Sequence, residues 1–255
     1  MSVQLSYSSD QRIATMTIDR PAQRNSLTRE ALLQLQAIAV ELAAASHCRA
    51  VIITGSGKQT FCAGAALDQL GSGELTSKQY ADAMDVIAAI GQPTIALLNG
   101  NAYGGGAELA LCCDFRIASE RFHIRIPPAK LGLCYPPRGL ARYISRLGNS
   151  AARQLFLSAQ QFDSGALLQL GFLTEIASQD QLSDRVNHLA QQLTELSPQA
   201  LQSMKQIFND FERPDEQQLQ YAQMLADHCN RGDDLREGLS AAREKRAAQF
   251  ADERD

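Results

Sequence analysis

A run of three consecutive glycines sets the strongest constraint on what this chain can build. It lies in Asn99-Gly-Asn-Ala-Tyr-Gly-Gly-Gly-Ala-Glu108-Leu-Ala-Leu-Cys-Cys-Asp114, after the apolar strand Thr94-Ile-Ala-Leu-Leu98 and before a helix expected from about Gly106 to Cys113. Gly104 and Gly105 can take backbone angles that a side chain forbids. The bare amides of a helix start carry positive potential and nothing covers them. Such a corner suits a negative oxygen, whether on a phosphate or forming transiently on a carbonyl. A tight turn in which glycine serves packing alone would use the same residues. The G-x-G-x-x-G spacing of dinucleotide sites is absent, and no lysine follows as a phosphate loop requires. Glu108 falls just inside the helix, where the dipole favours an acid with or without a chemical task.

With 255 residues and 45% hydrophobic content, the chain is long enough for a large core. A net charge of −4 with scattered lysines and arginines gives no footprint for nucleic acid. The start Met1-Ser-Val-Gln-Leu-Ser-Tyr lacks the charged and apolar regions of a signal peptide, and no apolar stretch is long enough to span a bilayer. A cytoplasmic protein without membrane or nucleic-acid partners is expected. The cysteines Cys48, Cys62, Cys112, Cys113, Cys134 and Cys229 form no C-x-x-C framework and read mostly as buried thiols. His47, His123, His188 and His228 are too dispersed to suggest a metal site.

The first half alternates strands and helices. Arg12 to Ile18 reads as a strand, Arg29 to Ala45 as a helix, Ala50 to Thr54 as a strand, Ser77 to Ile90 as a helix and Phe115 to Ala118 as a strand. Units of this kind predict an α/β fold with helices packed around sheet. Gly71 to Ser77 reads as a loop. After about Ser150 strand signals fade, and helices are expected over Ala151 to Ser158, Gly165 to Leu170, Ser183 to Glu195, Pro198 to Glu212, Asp215 to Asn230 and Leu235 to Gln249. The division predicted is an α/β core over 1–195 and a helical region over 196–255 for oligomerisation, to which the resemblance given below adds pocket closure. Leu219, Met224, Leu225 and Leu239 in that region need a surface to cover them.

A second glycine turn, Gly55-Ser-Gly-Lys-Gln-Thr-Phe-Cys-Ala-Gly-Ala65-Ala-Leu-Asp68, again follows a strand and precedes an apolar stretch. Two N–H groups from separate loops converging on one carbonyl oxygen make an oxyanion hole. With both turns read, the chain resembles the enoyl-CoA hydratase/isomerase (crotonase) family nearly end to end. The likeness rests on Asp19-Arg-Pro-Ala-Gln-Arg-Asn-Ser-Leu27, Phe61-Cys-Ala-Gly-Ala65, Gly104-Gly-Gly-Ala-Glu108 with Cys113-Asp-Phe-Arg-Ile-Ala-Ser119, and Pro128-Ala-Lys-Leu-Gly-Leu133. The tail Asp234 to Arg246 is similar to the family's closing helix.

The resemblance implies a spiral of strand-strand-helix repeats, a C-terminal helical trimerisation region, and a homotrimer or dimer of trimers. It implies no permanently bound cofactor and an acyl-CoA thioester as ligand, with coenzyme A as part of the substrate. It places the oxyanion amides at Ala65 and Gly105 and a catalytic carboxyl at Glu108. Arg24, Asn25, Ser26, Leu27, Ala63, Ala65, Leu67, Gly104, Pro128 and Leu133 are then expected to border the substrate, and Lys245 to reach the CoA phosphates.

Several residues depart from the family pattern. Hydratases of the family use two glutamates, and the second position is Pro128 here, whose ring transfers no proton. An aspartate common directly after the oxyanion alanine is replaced by Ala66, with Asp68 two residues on. Tyr135 is a candidate polar group of the pocket, or an aromatic wall for the acyl chain. Arg138 could meet a substrate carboxylate or a main-chain carbonyl, or lie solvated in a loop. Cys62 has no base placed beside it by sequence and reads as a packed thiol. Nominally this is an enoyl-CoA hydratase with one of its two glutamates. The alternatives are a decarboxylase similar to methylmalonyl-CoA decarboxylase, although Ala65 stands where that branch has histidine, or a catalytically weak CoA-thioester binding protein.

Overall fold

The computed structural model describes residues 2–212 and 215–250. Two sheets are wound by one repeating path. A hairpin of β1 (Val3–Tyr7) and β2 (Ile13–Ile18) opens the larger sheet, pairing antiparallel from Val3 opposite Ile18 to Tyr7 opposite Ala14. β3 (Ala50–Gly55), β5 (Thr94–Leu98), β7 (Phe115–Ser119) and β10 (Glu175–Ala177) then add in parallel, giving the order β1-β2-β3-β5-β7-β10. The smaller sheet collects the three-residue strands β4 (Thr60–Cys62), β6 (Asn101–Tyr103), β8 (His123–Arg125) and β9 (Gln161–Asp163), of which β9 is antiparallel to β8.

Each turn of the path is therefore a long strand, a short strand and helix. β3 and β4 lead to α2 (Leu67–Ser72) and α3 (Ser77–Ala88), β5 and β6 to α4 (Gly105–Cys112), and β7 and β8 to α5 (Pro137–Leu157). This is the spiral that the strand-strand-helix expectation describes. Between β2 and β3 lies α1 (Arg29–Ala44), started by Thr28, whose side chain accepts from Ala31 N–H. The remaining helices are α6 (Ser164–Gln169), α7 (Leu182–Thr194), α8 (Pro198–Phe211), α9 (Glu216–Arg231) and α10 (Asp233–Glu244).

The main core fills the space between the two sheets and α1, α3, α4 and α5, with Met16, Leu35, Phe61, Met84, Ile87 and Tyr143 wholly or almost wholly buried. A second, smaller core lies under α7, where Ile52, Ile95 and Ile117 meet Leu182, Val186 and Leu193. Strands β3, β5 and β7 are thus covered on both faces, which is why they read as continuous apolar runs rather than alternating ones. Helix α8 is pinned by Lys205, whose Nζ reaches Asp114 Oδ2 at 2.6 Å and the Gln92 carbonyl at 2.9 Å. Among the described residues no helix is long and apolar enough to cross a membrane.

Four expectations are corrected here. The stretch Gly71 to Ser77 is not one loop. Gly71 and Ser72 end α2, Gly73 takes a left-handed φ of 78°, and Thr76 with Gln79 forms a capping box at the head of α3. Strands do not stop at Ser150, because β9 and β10 each add an outer strand to a sheet. Helix α5 starts at Pro137, not Ala151, and bends at Gly148, where φ is 81°. The final helix ends at Glu244 rather than Gln249. Of the expected core and helical regions, residues 1, 213, 214 and 251–255 lie outside the described residues.

Candidate active site

The two glycine corners found in the sequence are packed against each other. Residues 24–27 and 63–66 first zip together: Ala63 N–H donates to the Arg24 carbonyl at 3.0 Å, Leu27 N–H to the Gly64 carbonyl at 2.8 Å, and Ala66 N–H to the Leu27 carbonyl at 2.9 Å. Asn25 makes this turn possible. It takes the left-handed φ of 54° that asparagine tolerates, donates its amide to the carbonyls of Ser56 (2.9 Å) and Thr60 (2.8 Å), and accepts from Arg20 N–H at 3.0 Å. Asn25 and Leu27 are wholly buried. Their place in the site is the floor under the Ala65 corner, a correction to the expectation that they face the ligand. Arg24 is exposed, and Ser26 is half-buried.

The Ala65 corner then sits on the α4 corner with no room between. A Cβ on Gly64 would lie 2.8 Å from the Gly105 nitrogen, and one on Gly106 would lie 2.1 Å from the Cys62 carbonyl oxygen. Glycine at both positions is what allows the approach. Gly104, with φ 49° and ψ −118°, turns the chain from β6 into α4.

Peptide geometry aims the amides. The Gly104 carbonyl accepts from Ala107 (3.1 Å) and Glu108 (3.4 Å) within α4, so across the same trans peptide the Gly105 N–H points out of the helix start. The Gly64 carbonyl is taken by Leu27, so the Ala65 N–H points away from that partner. Among the described residues neither amide has an acceptor. Tyr80 on α3 fixes the next peptide by donating its hydroxyl to the Gly105 carbonyl at 2.6 Å. The result is a pair of unspent donors at a helix N-terminus, an arrangement that can hold an oxygen acquiring negative charge.

Glu108 lies one turn into α4 and is 1% exposed. Both its oxygens are occupied. Tyr135 donates its hydroxyl to Oε2 at 2.6 Å, and Arg142 on α5 donates through Nη1 to Oε1. The second arm of Arg142 reaches Asp85 Oδ1 on α3 at 2.6 Å. Burial pushes the Glu108 carboxyl up, while Arg142 and the Tyr135 hydroxyl pull it back. Gly139 leaves room for the cluster, since a Cβ there would meet Tyr135 at 2.7 Å and the carboxylate oxygens at 3.0 and 3.1 Å. Tyr135 is buried and its ring packs edge-on against Phe156 with centroids 4.9 Å apart.

Arg138 is on a helix and ion-paired rather than free in a loop, correcting that expectation. The early start of α5 turns it toward α3, where it pairs with Asp82 at 2.5 Å and with Asp85. Pro128 is buried at the head of a short 3-10 turn, Pro128–Leu131, and Leu133 follows half-buried. Helix α10 is seated on this turn through two glycines: a Cβ on Gly238 would lie 2.3 Å from Leu131 backbone, and one on Gly132 would lie 2.3 Å from Asp234 backbone. Asn230 on α9 also clasps Cys134, accepting from its N–H at 2.8 Å and donating to its carbonyl at 3.2 Å. Leu67 opens α2 and is exposed, as is Lys245 at the left-handed end of α10. Cys62 is buried and its thiol is pushed up to about 12 by that burial, so it is inert as a nucleophile at neutral pH.

Residues 8–253 match the family model described as enoyl-CoA hydratase/isomerase. The chain belongs to this family. It is 30% identical over 251 residues to the 2,3-dehydroadipyl-CoA hydratase of Escherichia coli K12, covering 97% of this chain and 98% of that one. Among solved structures, carnitinyl-CoA hydratase from Mycobacterium avium superposes with a TM-score of 0.86 at 27% identity, covering 99% of each chain. A methylmalonyl-CoA decarboxylase in complex with 2-nitronate-propionyl-CoA gives a TM-score of 0.90 at 21% identity, again over 99% of both chains, which establishes a shared fold. Members of the family act on CoA thioesters, and this chain is an acyl-CoA enzyme of the enoyl-CoA hydratase/isomerase family.

Arg142, Asp85 and Tyr80 were not among the residues singled out from sequence. A helix-borne arginine 34 residues from its carboxylate carries no local signal; only the packing of α5 on α4 brings the two together.

Proposed function

We propose that this enzyme stabilises the enolate of an acyl-CoA thioester at the paired amides of Ala65 and Gly105. The observation that carries the reading is the aim of those two N–H groups, each forced outward by a carbonyl spent elsewhere. A thioester oxygen held there gains negative charge as the α-carbon becomes nucleophilic, and donors already in place need not reorganise. One such donor is worth roughly 100- to 1000-fold in rate. Arg24, Ser26, Ala63, Leu67, Gly104, Pro128, Leu133 and Lys245 border the substrate in this reading, with the two cations meeting the CoA phosphates. Three copies of the chain, or two such trimers, assemble through the helices after α7, whose exposed face carries Met204, Ile207, Phe208 and Phe211.

The reaction best supported by the geometry is loss of carbon dioxide from an α-carboxyacyl-CoA. The bond from the α-carbon to the carboxylate breaks, its electron pair passes toward the thioester oxygen, and the α-carbon later takes a proton from water. No protein base is needed, which suits a site where Glu108 is held at both oxygens and Pro128 transfers no proton. Hydration of an enoyl-CoA is the second reading, favoured by the reaction named for the Escherichia coli relative and by the presence of Glu108.

Incubation with methylmalonyl-CoA and with crotonyl-CoA separates the two. Release of carbon dioxide from the former, faster than loss of enoyl absorbance from the latter, is the expected result. Faster hydration would reverse the order of the readings. Failure to bind either thioester by calorimetry would remove both.

A further inference from the structure

We propose that Arg142 selects the reaction of this site by holding Glu108 with both oxygens spent, so that Glu108 orients Tyr135 and takes no part in proton transfer. The inference rests on the acyl-CoA reading above and assigns Arg142 as a positioning residue.

The geometry commits each oxygen of Glu108 to a strong donor, Oε2 to Tyr135 and Oε1 to Arg142. Arg142 is 8% exposed and two-armed: one amino group binds Glu108 and the other binds Asp85. Asp85 is in turn bound by Arg138, Arg138 by Asp82 at 2.5 Å, and Asp82 by Lys78 at 2.7 Å. Charges alternate along this chain from the buried carboxylate to the surface, so Arg142 cannot swing away without leaving buried Glu108 without a cation and Asp85 with one arginine in place of two. On the other side, the Tyr135 hydroxyl spends its proton on Glu108.

The groups facing Glu108 are Tyr80 and Asp85 from α3, Tyr135 from the segment before α5, Arg142 and Tyr143 from α5, and Cys112 on its own helix. Arg142 is the only cation among them. Taking it away leaves burial, which favours the protonated carboxyl, opposed mainly by one tyrosine hydroxyl. A freed, protonated Glu108 could give its proton to the α-carbon while the oxygen of water bonds to the β-carbon of an enoyl thioester, the proton that water gives up passing to the carboxylate so formed. That is the step hydration requires and decarboxylation does not.

Infrared difference spectra of the full-length protein read the carboxyl directly. At pH 7 the wild-type protein is expected to show no protonated-carboxyl band that disappears in E108Q. R142M is expected to show one that disappears in R142M/E108Q. Hydration of crotonyl-CoA by R142M should rise by at least about tenfold, with a rate that falls as pH increases through the new ionisation, while wild type lacks that alkaline limb. An R142M spectrum and pH profile superimposable on wild type would overturn the proposal. Should R142M fail to fold, R142K replaces it: lysine keeps a charge but cannot bridge both acids. A partial gain of the same band is then expected, and no gain overturns the proposal. The band needs no substrate, so it decides the role of Arg142 even if the wild-type protein proves to bind no thioester, a result that would sink the acyl-CoA reading by itself.

Discussion

Asn25 shows how much one side chain can fix. Its amide ties Arg20, Ser56 and Thr60 together by four hydrogen bonds while its backbone takes a left-handed turn, and the Ala65 corner rests on it. Asn25→Ala would leave two carbonyls and an amide without that partner, at a cost of about 2–4 kcal/mol in urea unfolding. A change below about 0.5 kcal/mol would mean that water replaces the side chain at no loss. The sequence made Ala65, Gly105 and Glu108 legible because each lies in a short contiguous pattern with glycine or an apolar strand beside it. Asn25 was legible as a residue of the site but not as its floor, since burial is settled by which loops pack over it. Arg142 was not legible at all, because its meaning depends on a partner on another helix. Arg138 was misread for the same reason: its partners Asp82 and Asp85 belong to α3.

Elements succeed or fail as sequence readings according to how much pattern they contain. The strand β2 alternates, β3, β5 and β7 are continuous apolar runs, and α1, α3 and α4 are long enough to read as helices; the structure has all of them within one or two residues of the expected limits. The short strands β4, β6, β8, β9 and β10 have three residues each, too few for any period to show. The α4 corner is the element on which the chemistry depends, and its glycines are a steric matter. Gly106→Ala should raise the helix propensity of α4 yet drive a methyl into the Cys62 carbonyl. The two corners must part, and turnover of the preferred thioester is expected to fall by roughly 100-fold or more. Retention of wild-type kcat/KM would show that the corners need not touch.

At the scale of the whole molecule, the exposed apolar stripe on α8 calls for a partner. Met204, Ile207, Phe208 and Phe211 follow the spacing of one helix face and are between 48% and 85% exposed. The double substitution Phe208→Asp and Phe211→Asp should yield a smaller species in sedimentation velocity with its circular dichroism unchanged. A wild-type protein that sediments as a monomer would remove the proposed trimer. The α/β spiral was legible from the alternation of strand and helix together with the family motifs, and a closing C-terminal helix from the resemblance, whereas its seat on the Pro128 turn needed coordinates, because the contact is glycine against backbone and leaves no side-chain signature.

That contact has a consequence for how the chain is made. Asn230, Asp234 and Gly238 hold the segment that carries Tyr135, yet they come nearly a hundred residues after it. A nascent polypeptide emerging from the ribosome will have both amide corners in place long before the tyrosine wall is clamped beside them. The proposed site is thus completed by helices made well after its amide corners, and until then a thioester would meet an open, wet cleft.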